Sequence, residues 1–293
     1  MTLLDAIVLG LVEGVTEYLP VSSTGHLILA SRLLGLAPTE ENRAAVDAFN
    51  IVVQGAAVLA VAGLYRRDVS GMVRSLLAFV LPIRRPPSAR NDRRLARNLL
   101  LSFLPAAVIG LALGDWIEER FFKEGPVLVA LALGGILMIA LSPWVRQKAK
   151  SASETGMDGS TLSALAALLV GALQCLALFP GTSRSMVTIV GALIVGLSPR
   201  EAAKYSFLLA LPTLGAACAY KSLGLAQSGD MIERLGGIAP IAVGLIAAFV
   251  SAALSITWLV GFLGRGGFAF FGWWRLVLAG TVAWGLAQGW LAL

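Results

Sequence analysis

Residues 13 to 26 read EGVTEYLPVSSTGH, and they place two carboxylates, a proline, several hydroxyls, two glycines and the sole histidine inside an apolar surround. Ionisable groups are costly in hydrocarbon, so such residues face a protein interior or a wet cavity and mark a functional site. Glu13 and Glu17 are four apart, which puts both on one helix face. Two carboxylates this close in a dry site repel unless a cation intervenes. They could chelate Mg2+ or Ca2+, which take oxygen ligands, or one could serve as a general base. The bland alternative is a pair of acids capped by hydroxyls at a helix end. His26 could be nucleophile, general acid or general base, although a lone histidine is more often structural. Ser22, Ser23 and Thr24 supply hydroxyls beside it.

A second polar stretch, PGTSRS at 180 to 185, sits in a similar apolar setting. Arg184 is permanently charged and suited to bidentate phosphate binding. Gly181, Thr182, Ser183 and Ser185 around it suggest a donor-rich loop at a helix N-terminus, which is a ready anion site. The competing reading is a structural ion pair between Arg184 and Glu13 or Glu17. Together the two stretches suggest one phosphate-handling site in mid-membrane.

The elements that must position these residues are membrane helices. The chain of 293 residues is 57% hydrophobic and 14% charged, with mean hydropathy +0.82. Soluble domains are about 45–50% apolar and about 25% charged. Repeated apolar runs of span length, without strand alternation, predict an all-α polytopic membrane protein rather than an outer-membrane barrel. The basic residues cluster in loops, a topology signal and not a nucleic-acid signal. MTLLDAIVLGLVEG has no basic n-region or small-residue cleavage site, so no cleaved signal peptide is expected. Cys175 and Cys218 lie in apolar segments without metal or redox spacing and read as buried small hydrophobes.

Residues 3 to 18 predict a helix that ends before Pro20. Ser22, Ser23 and Thr24 are N-cap candidates for a short helix over about 24 to 36. Both arms are short for a core of about 30 Å, so a re-entrant hairpin is expected. Spans follow at 46–65, 98–114 and 126–143, with APTEENRA (37–44) as a loop and DWIEERFFKEG as a turn. The stretch from Arg66 to Arg97 holds nine arginines and Pro82, Pro86 and Pro87, and reads as a cytoplasmic loop that can touch anionic lipid. An apolar arm at 161–179, then PGTSRS, then an arm ending near Ser198–Pro199 repeats the hairpin. Spans at 201–220, 238–262 and 274–292 complete the chain. Trp273, Trp274, Trp284 and Trp290 are placed as interface anchors.

Each half is thus one hairpin plus three spans, 1–147 and 161–293, joined by a linker at 148–160. Placing 66–97 in the cytoplasm puts 144–160, 197–204 and 263–275 inside as well. The first hairpin then enters from outside and the second from inside, an inverted-topology repeat of six transmembrane helices and two re-entrant hairpins. GLVEGVTEYLPVSST can be laid on GALQCLALFPGTSRS with a one-residue gap. Gly10 then matches Gly171, Glu13 matches Gln174, Pro20 matches Pro180, and Ser23 faces Ser183 or Arg184.

GLVEGVTEYLPVSSTGHL and PGTSRSMVT closely resemble the two signature motifs of the BacA-type undecaprenyl-diphosphate phosphatases. The similarity extends over the whole chain, including SFLLALPTLGAA at 206–217. The resemblance implies an enzyme of the bacterial plasma membrane, linked to bacitracin resistance, that removes the terminal phosphate of undecaprenyl diphosphate and recycles the lipid carrier of cell-wall synthesis. It implies a divalent cation, and roles for Glu13, Glu17, Ser23, Thr24, His26, Ser183 and Arg184. Met186 stands where relatives commonly have glycine, and Cys175 where they have a small residue. Hydrolysis would use Ser23, giving its proton to Glu17 or His26, or else His26 directly as nucleophile. Ser22, Thr24, Thr182, Ser183, Ser185 and Arg184 would bind substrate, with Mg2+ or Ca2+ on Glu13 and Glu17.

The runner-up is a lipid flippase or secondary transporter on the same inverted repeat. A phosphatase chemistry that needs two histidines is excluded by count. The expected partners are the polyprenyl diphosphate and membrane lipid, with no nucleic acid; a homodimer stays open. The site is expected to open toward the outer face.

Overall fold

The computed structural model describes residues 1–36, 40–78, 88–151, 157–227, 232, 235–265 and 267–289. These are helical apart from turns and short connections, and no strand occurs among them. The helices are α1 (Leu3–Tyr18), α2 (Ser23–Leu33), α3 (Glu40–Leu64), α4 (Arg66–Leu77), α5 (Ala89–Phe121), α6 (Glu124–Ser151), α7 (Ala164–Gln174), α8 (Arg184–Ile194), α9 (Pro199–Gln227), α10 (Ile238–Leu263) and α11 (Phe268–Ala287). Six are long and apolar enough to cross a membrane: those at Ala44–Leu64, Ala89–Phe121, Gly125–Ser151, Pro199–Leu223, Ile238–Leu263 and Phe268–Ala287. The protein is a multi-pass membrane protein.

The two hairpins form where local chemistry demands. Thr2 and Asp5 close a capping box on α1, with Thr2 N donating to Asp5 Oδ2 at 2.8 Å and Asp5 N to Thr2 Oγ1 at 3.2 Å. Pro20 holds Leu19 extended at φ −71°, ψ 142°, which ends the helix at Tyr18. Ser22 then occupies the N-cap position of α2, yet its side chain makes no capping hydrogen bond. In the second hairpin α7 gives way to a 3-10 turn at Cys175–Leu178 before Pro180. Here the N-cap works: Met186 N donates to Ser183 Oγ at 3.3 Å.

The outgoing arms α2 and α8 have 11 residues each and end alike. Leu34, Gly35 and Leu36 donate to the carbonyls of Ala30, Arg32 and Ser31. Val195, Gly196 and Leu197 donate to those of Gly191, Leu193 and Ala192 at the matching positions. Gly35 and Gly196 both have positive φ, as this C-terminal motif requires. Ser22 and Ser183, one residue ahead of each arm, are the only non-glycine residues with positive φ among those described. This geometry pairs Ser22 with Ser183 and Ser23 with Arg184.

Packing crosses the two halves. α1 lies on α10, where Gly14 sits so close to Ala248, Ser251 and Ala252 that a Cβ would collide with them. α7 lies on α5, with Gly171 against Ser102 and Pro105. Small residues are what allow such approach without a hydrophobic drive between helices. The main core is shared by both halves and includes Tyr18, Val61, Leu99, Met186, Phe207, Ile256 and Phe271.

Three expectations are corrected. The stretch 66–97 is not simply a loop: α4 occupies Arg66–Leu77 and α5 starts at Ala89. α4 is amphipathic, with Met72 and Ser75 buried, so an arginine-rich segment can lie helical with one face on the bundle. Arg84, Arg85 and the prolines 82, 86 and 87 lie outside the described residues, as do parts of the 37–44 loop and of the 148–160 linker, and Trp290. DWIEERFFKEG is also no open turn; α5 runs to Phe121, its end braced by Arg120 over the Trp116 ring at 5.3 Å. The third concerns residues 263–275, expected wholly as a loop: α11 begins at Phe268 and buries Arg275 completely.

Candidate active site

The tips of the two hairpins meet. Arg184 Nη2 donates to Glu17 Oε1 at 3.0 Å, and both side chains are almost wholly buried. Arg184 Nη1 reaches Ser206 O at 3.2 Å, and its guanidinium lies over the Tyr18 ring at 5.6 Å. Ser185 Oγ donates to Leu19 O at 3.0 Å, a second tie between the tips. Arg184 Nε is buried with no partner. A buried donor left unpaired carries a desolvation cost, which an anion reaching this nitrogen would relieve.

Ser23 Oγ donates to the other Glu17 oxygen, Oε2, at 2.8 Å. Gln54 on α3 donates to the same oxygen at 3.3 Å. Glu17 therefore holds a serine hydroxyl and an arginine together, an arrangement in which the hydroxyl could act as nucleophile, the carboxylate as its base and the guanidinium as a phosphoryl-charge stabiliser.

His26 is placed differently. Its Nδ1 contacts Ser22 O at 2.7 Å, and its Nε2 lies 2.8 Å from Trp274 Nε1. A carbonyl oxygen requires Nδ1 to carry the proton, and the indole N–H requires Nε2 to accept it. The imidazole is thus neutral and its one lone pair is occupied. Trp274, expected as an interface anchor, is here the partner of the sole histidine.

Glu13, one turn before Glu17, is 1% exposed, and neither of its oxygens has a hydrogen-bond partner. The Gln54 amide, which donates to Glu17, is the polar side chain nearest to serving it. Its counterpart in the second hairpin, Gln174, is equally buried but satisfied: Nε2 donates to Ser102 O at 3.1 Å and Oε1 accepts from Thr213 at 3.2 Å. Among the described residues no group of three His, Cys, Asp or Glu converges. Two carboxylates fit a hard cation that keeps waters and binds substrate phosphate, the usual habit of Mg2+.

The remaining expected residues line the same turns. Ser183 Oγ and Ser185 Oγ are 3.1 Å apart. Thr182 N closes a turn on Phe179 O at 3.3 Å, and Gly181, at φ 87°, has a backbone that favours glycine. Ser22 is buried and Thr24 half-buried at the start of α2. The positive φ of Ser22 and Ser183 costs on the order of 1–3 kcal/mol each and persists only where the surroundings impose it. Sequence reasoning assigned no site role to Tyr18, Gln54, Ser206, Trp274 or Arg275. Gln54 carried a usable signal, an amide one turn after Asn50 inside an apolar span; the others resemble ordinary core, interface or loop residues. Met186 is buried in the core, so its bulk is absorbed by packing away from the turn. Cys175 and Cys218 are free thiols, and Cys218 sits 3.4 Å from Gln54 Oε1.

The chain is similar to known proteins over nearly its whole length. A family model described as bacitracin resistance protein BacA matches residues 6–281. An undecaprenyl-diphosphatase of Sorangium cellulosum is 42% identical over 281 residues, covering 96% of this chain and 85% of that protein. One from Cereibacter sphaeroides is 39% identical, covering 98% of each chain. Undecaprenyl-diphosphatase 1 of Stutzerimonas stutzeri is 40% identical, again covering 98% of each.

Proposed function

The chain belongs to the bacitracin resistance protein BacA family, and from that premise we propose that it hydrolyses undecaprenyl diphosphate to undecaprenyl phosphate and inorganic phosphate. The observation that carries the reading is Glu17, which holds Ser23 Oγ on one oxygen and the buried Arg184 on the other. A membrane enzyme for a polyprenyl diphosphate needs a nucleophile, a base and fixed positive charge at one buried point, and this is such a point.

Ser23 Oγ attacks the terminal phosphorus and passes its proton to Glu17. The bond from phosphorus to the bridging oxygen breaks, and undecaprenyl phosphate leaves with that oxygen. Water then cleaves the phosphoserine and restores Ser23. Arg184 turns its free Nε, and in the transition state its other donors, toward the phosphoryl oxygens. The backbone N–H groups at the start of α8 face the same anion. His26, with its lone pair engaged by Trp274, holds the Ser22 turn rather than attacking phosphorus. Glu13 and Glu17 would hold a Mg2+ or Ca2+ ion, which supplies charge neutralisation to the diphosphate when bound.

The matched arms α2 and α8, their shared end motif and the crossed packing support an inverted repeat of 1–147 and 161–293. The positive-inside bias supports an orientation in which the first hairpin enters from outside and the site opens outward, in the bacterial inner membrane.

The test is phosphate release from a polyprenyl diphosphate in detergent, for wild type, Ser23→Ala, His26→Ala and Arg184→Ala, with and without chelator. Loss in Ser23→Ala and Arg184→Ala supports the reading. No release by wild type with Mg2+ or Ca2+ present overturns it and makes lipid transport in liposomes the next experiment.

A further inference from the structure

Arg275 on α11 is fully buried, and its hydrogen bonds go to backbone carbonyls. Nη2 donates to Ala130 O at 2.9 Å and Gly181 O at 2.8 Å, Nε to Leu131 O at 3.3 Å, and Nη1 to Thr182 O at 3.3 Å. Among the described residues no carboxylate forms an ion pair with it. Two of its four acceptors belong to α6 and two to the turn just ahead of Arg184. The space exists because Gly134 lacks a side chain: a Cβ there would fall on the guanidinium.

The consequence follows from peptide geometry. In a trans peptide the C=O and the next N–H point in opposite directions. With Thr182 C=O fixed on Arg275, the Ser183 N–H is turned away from Arg275, directly ahead of the Ser183 N–Cα bond whose φ is 73°. Ser183 is the N-cap from which α8 starts and Arg184 projects. The preceding residue on α11, Trp274, secures the other strained turn, through His26 and Ser22 O. Two adjacent residues of one helix thus brace both hairpin tips.

We infer that Arg275 is a positioning residue for the phosphate-binding turn, acting through the Gly181 and Thr182 carbonyls to orient Ser183 and Arg184. It leaves a buried positive charge behind that turn, where an arriving diphosphate gains from it. This rests on the reading of 180–185 as the phosphate element.

The experiment compares full-length Arg275→Lys, Arg275→Met and Gly134→Ala, the last of which displaces the guanidinium without removing it. Phosphate release is measured as kcat and KM, with hydrogen exchange of peptides covering 179–187. The expected result is a kcat at least tenfold lower in Arg275→Met and Gly134→Ala, partial recovery in Arg275→Lys, and faster exchange confined to 179–187. Arg275→Lys combined with Arg184→Ala should be no worse than Arg184→Ala alone. If Arg275→Met does not fold, Gly134→Ala and Arg275→Lys carry the test. Wild-type kcat in the folded variants, losses that multiply with that of Arg184→Ala, or exchange rising across the whole bundle overturns the clamp. Full activity in Arg184→Ala would instead overturn the phosphate-element reading, a result separate from those.

Discussion

Trp274 Nε1 lies 2.8 Å from His26 Nε2, with the two rings nearly parallel at 3°. Because His26 is the sole histidine, its tautomer can be read directly. The expected outcome is a single neutral imidazole protonated at Nδ1 in the ring 15N spectrum at neutral pH. In Trp274→Phe the indole donor is gone and the Nε2 signal should shift, while phosphate release falls several-fold. A spectrum showing Nε2–H in the wild type would return His26 to the list of nucleophiles.

Ser23 and His26 separate by magnitude. Removing a nucleophile should cost more than removing a residue that braces a turn. Ser23→Ala should lower kcat by about 10³-fold or more, and His26→Ala by about 10- to 100-fold, general acid–base contributions being about 10²–10⁴-fold. Rapid quench with a labelled terminal phosphate should trap label on Ser23. Label recovered on His26 would reverse the assignment.

Breaking the buried Glu17–Arg184 pair leaves one charge uncompensated. Arg184→Met and Glu17→Gln should each destabilise by about 3–5 kcal/mol, and combining them should recover much of that. Thermal unfolding in detergent reports the stability, and activity should stay lost in all three. Equal destabilisation in the double variant and the sum of the singles would show that the two side chains do not interact.

Glu13 tests the cation. Its unpartnered, buried carboxylate predicts that Glu13→Gln weakens Mn2+ binding at least tenfold, measured by electron paramagnetic resonance of the free ion without substrate. The substitution removes a charge and little volume, so folding should be unaffected. Unchanged Mn2+ affinity would place the ion elsewhere.

Gly14 tests the packing that sets the tips. A Cβ there meets Ser251 Oγ and the Ala248 carbonyl, so Gly14→Leu must push α1 off α10. Overpacking of this kind costs about 1–3 kcal/mol. The expected result is a lower unfolding temperature and a loss of activity together, since Glu13 and Glu17 lie on the displaced helix.

The chain alone determined much of this protein, wherever the governing physics is local. Apolar runs of span length give the six crossing helices, and Pro20 and Pro180 end the incoming arms. Polar residues stranded in apolar segments gave away EGVTEYLPVSSTGH and PGTSRS for the same reason. Helix extent was less legible where charged residues are good helix formers, as in Arg66–Leu77 and Asp115–Phe121. Only the tertiary structure decided how the residues divide their roles. Glu17 and Arg184 meet because α1 and α8 converge from opposite halves of the chain, which no spacing reveals. His26 acquired a donor, and the strained turn at Ser183 an anchor, from Trp274 and Arg275 on the last helix. In sequence those two look like an interface tryptophan and a loop arginine. Their contacts depend on α11 crossing α6 at Gly134, Gly135 and Gly272, and a contact between distant helices follows from packing rather than from local pattern.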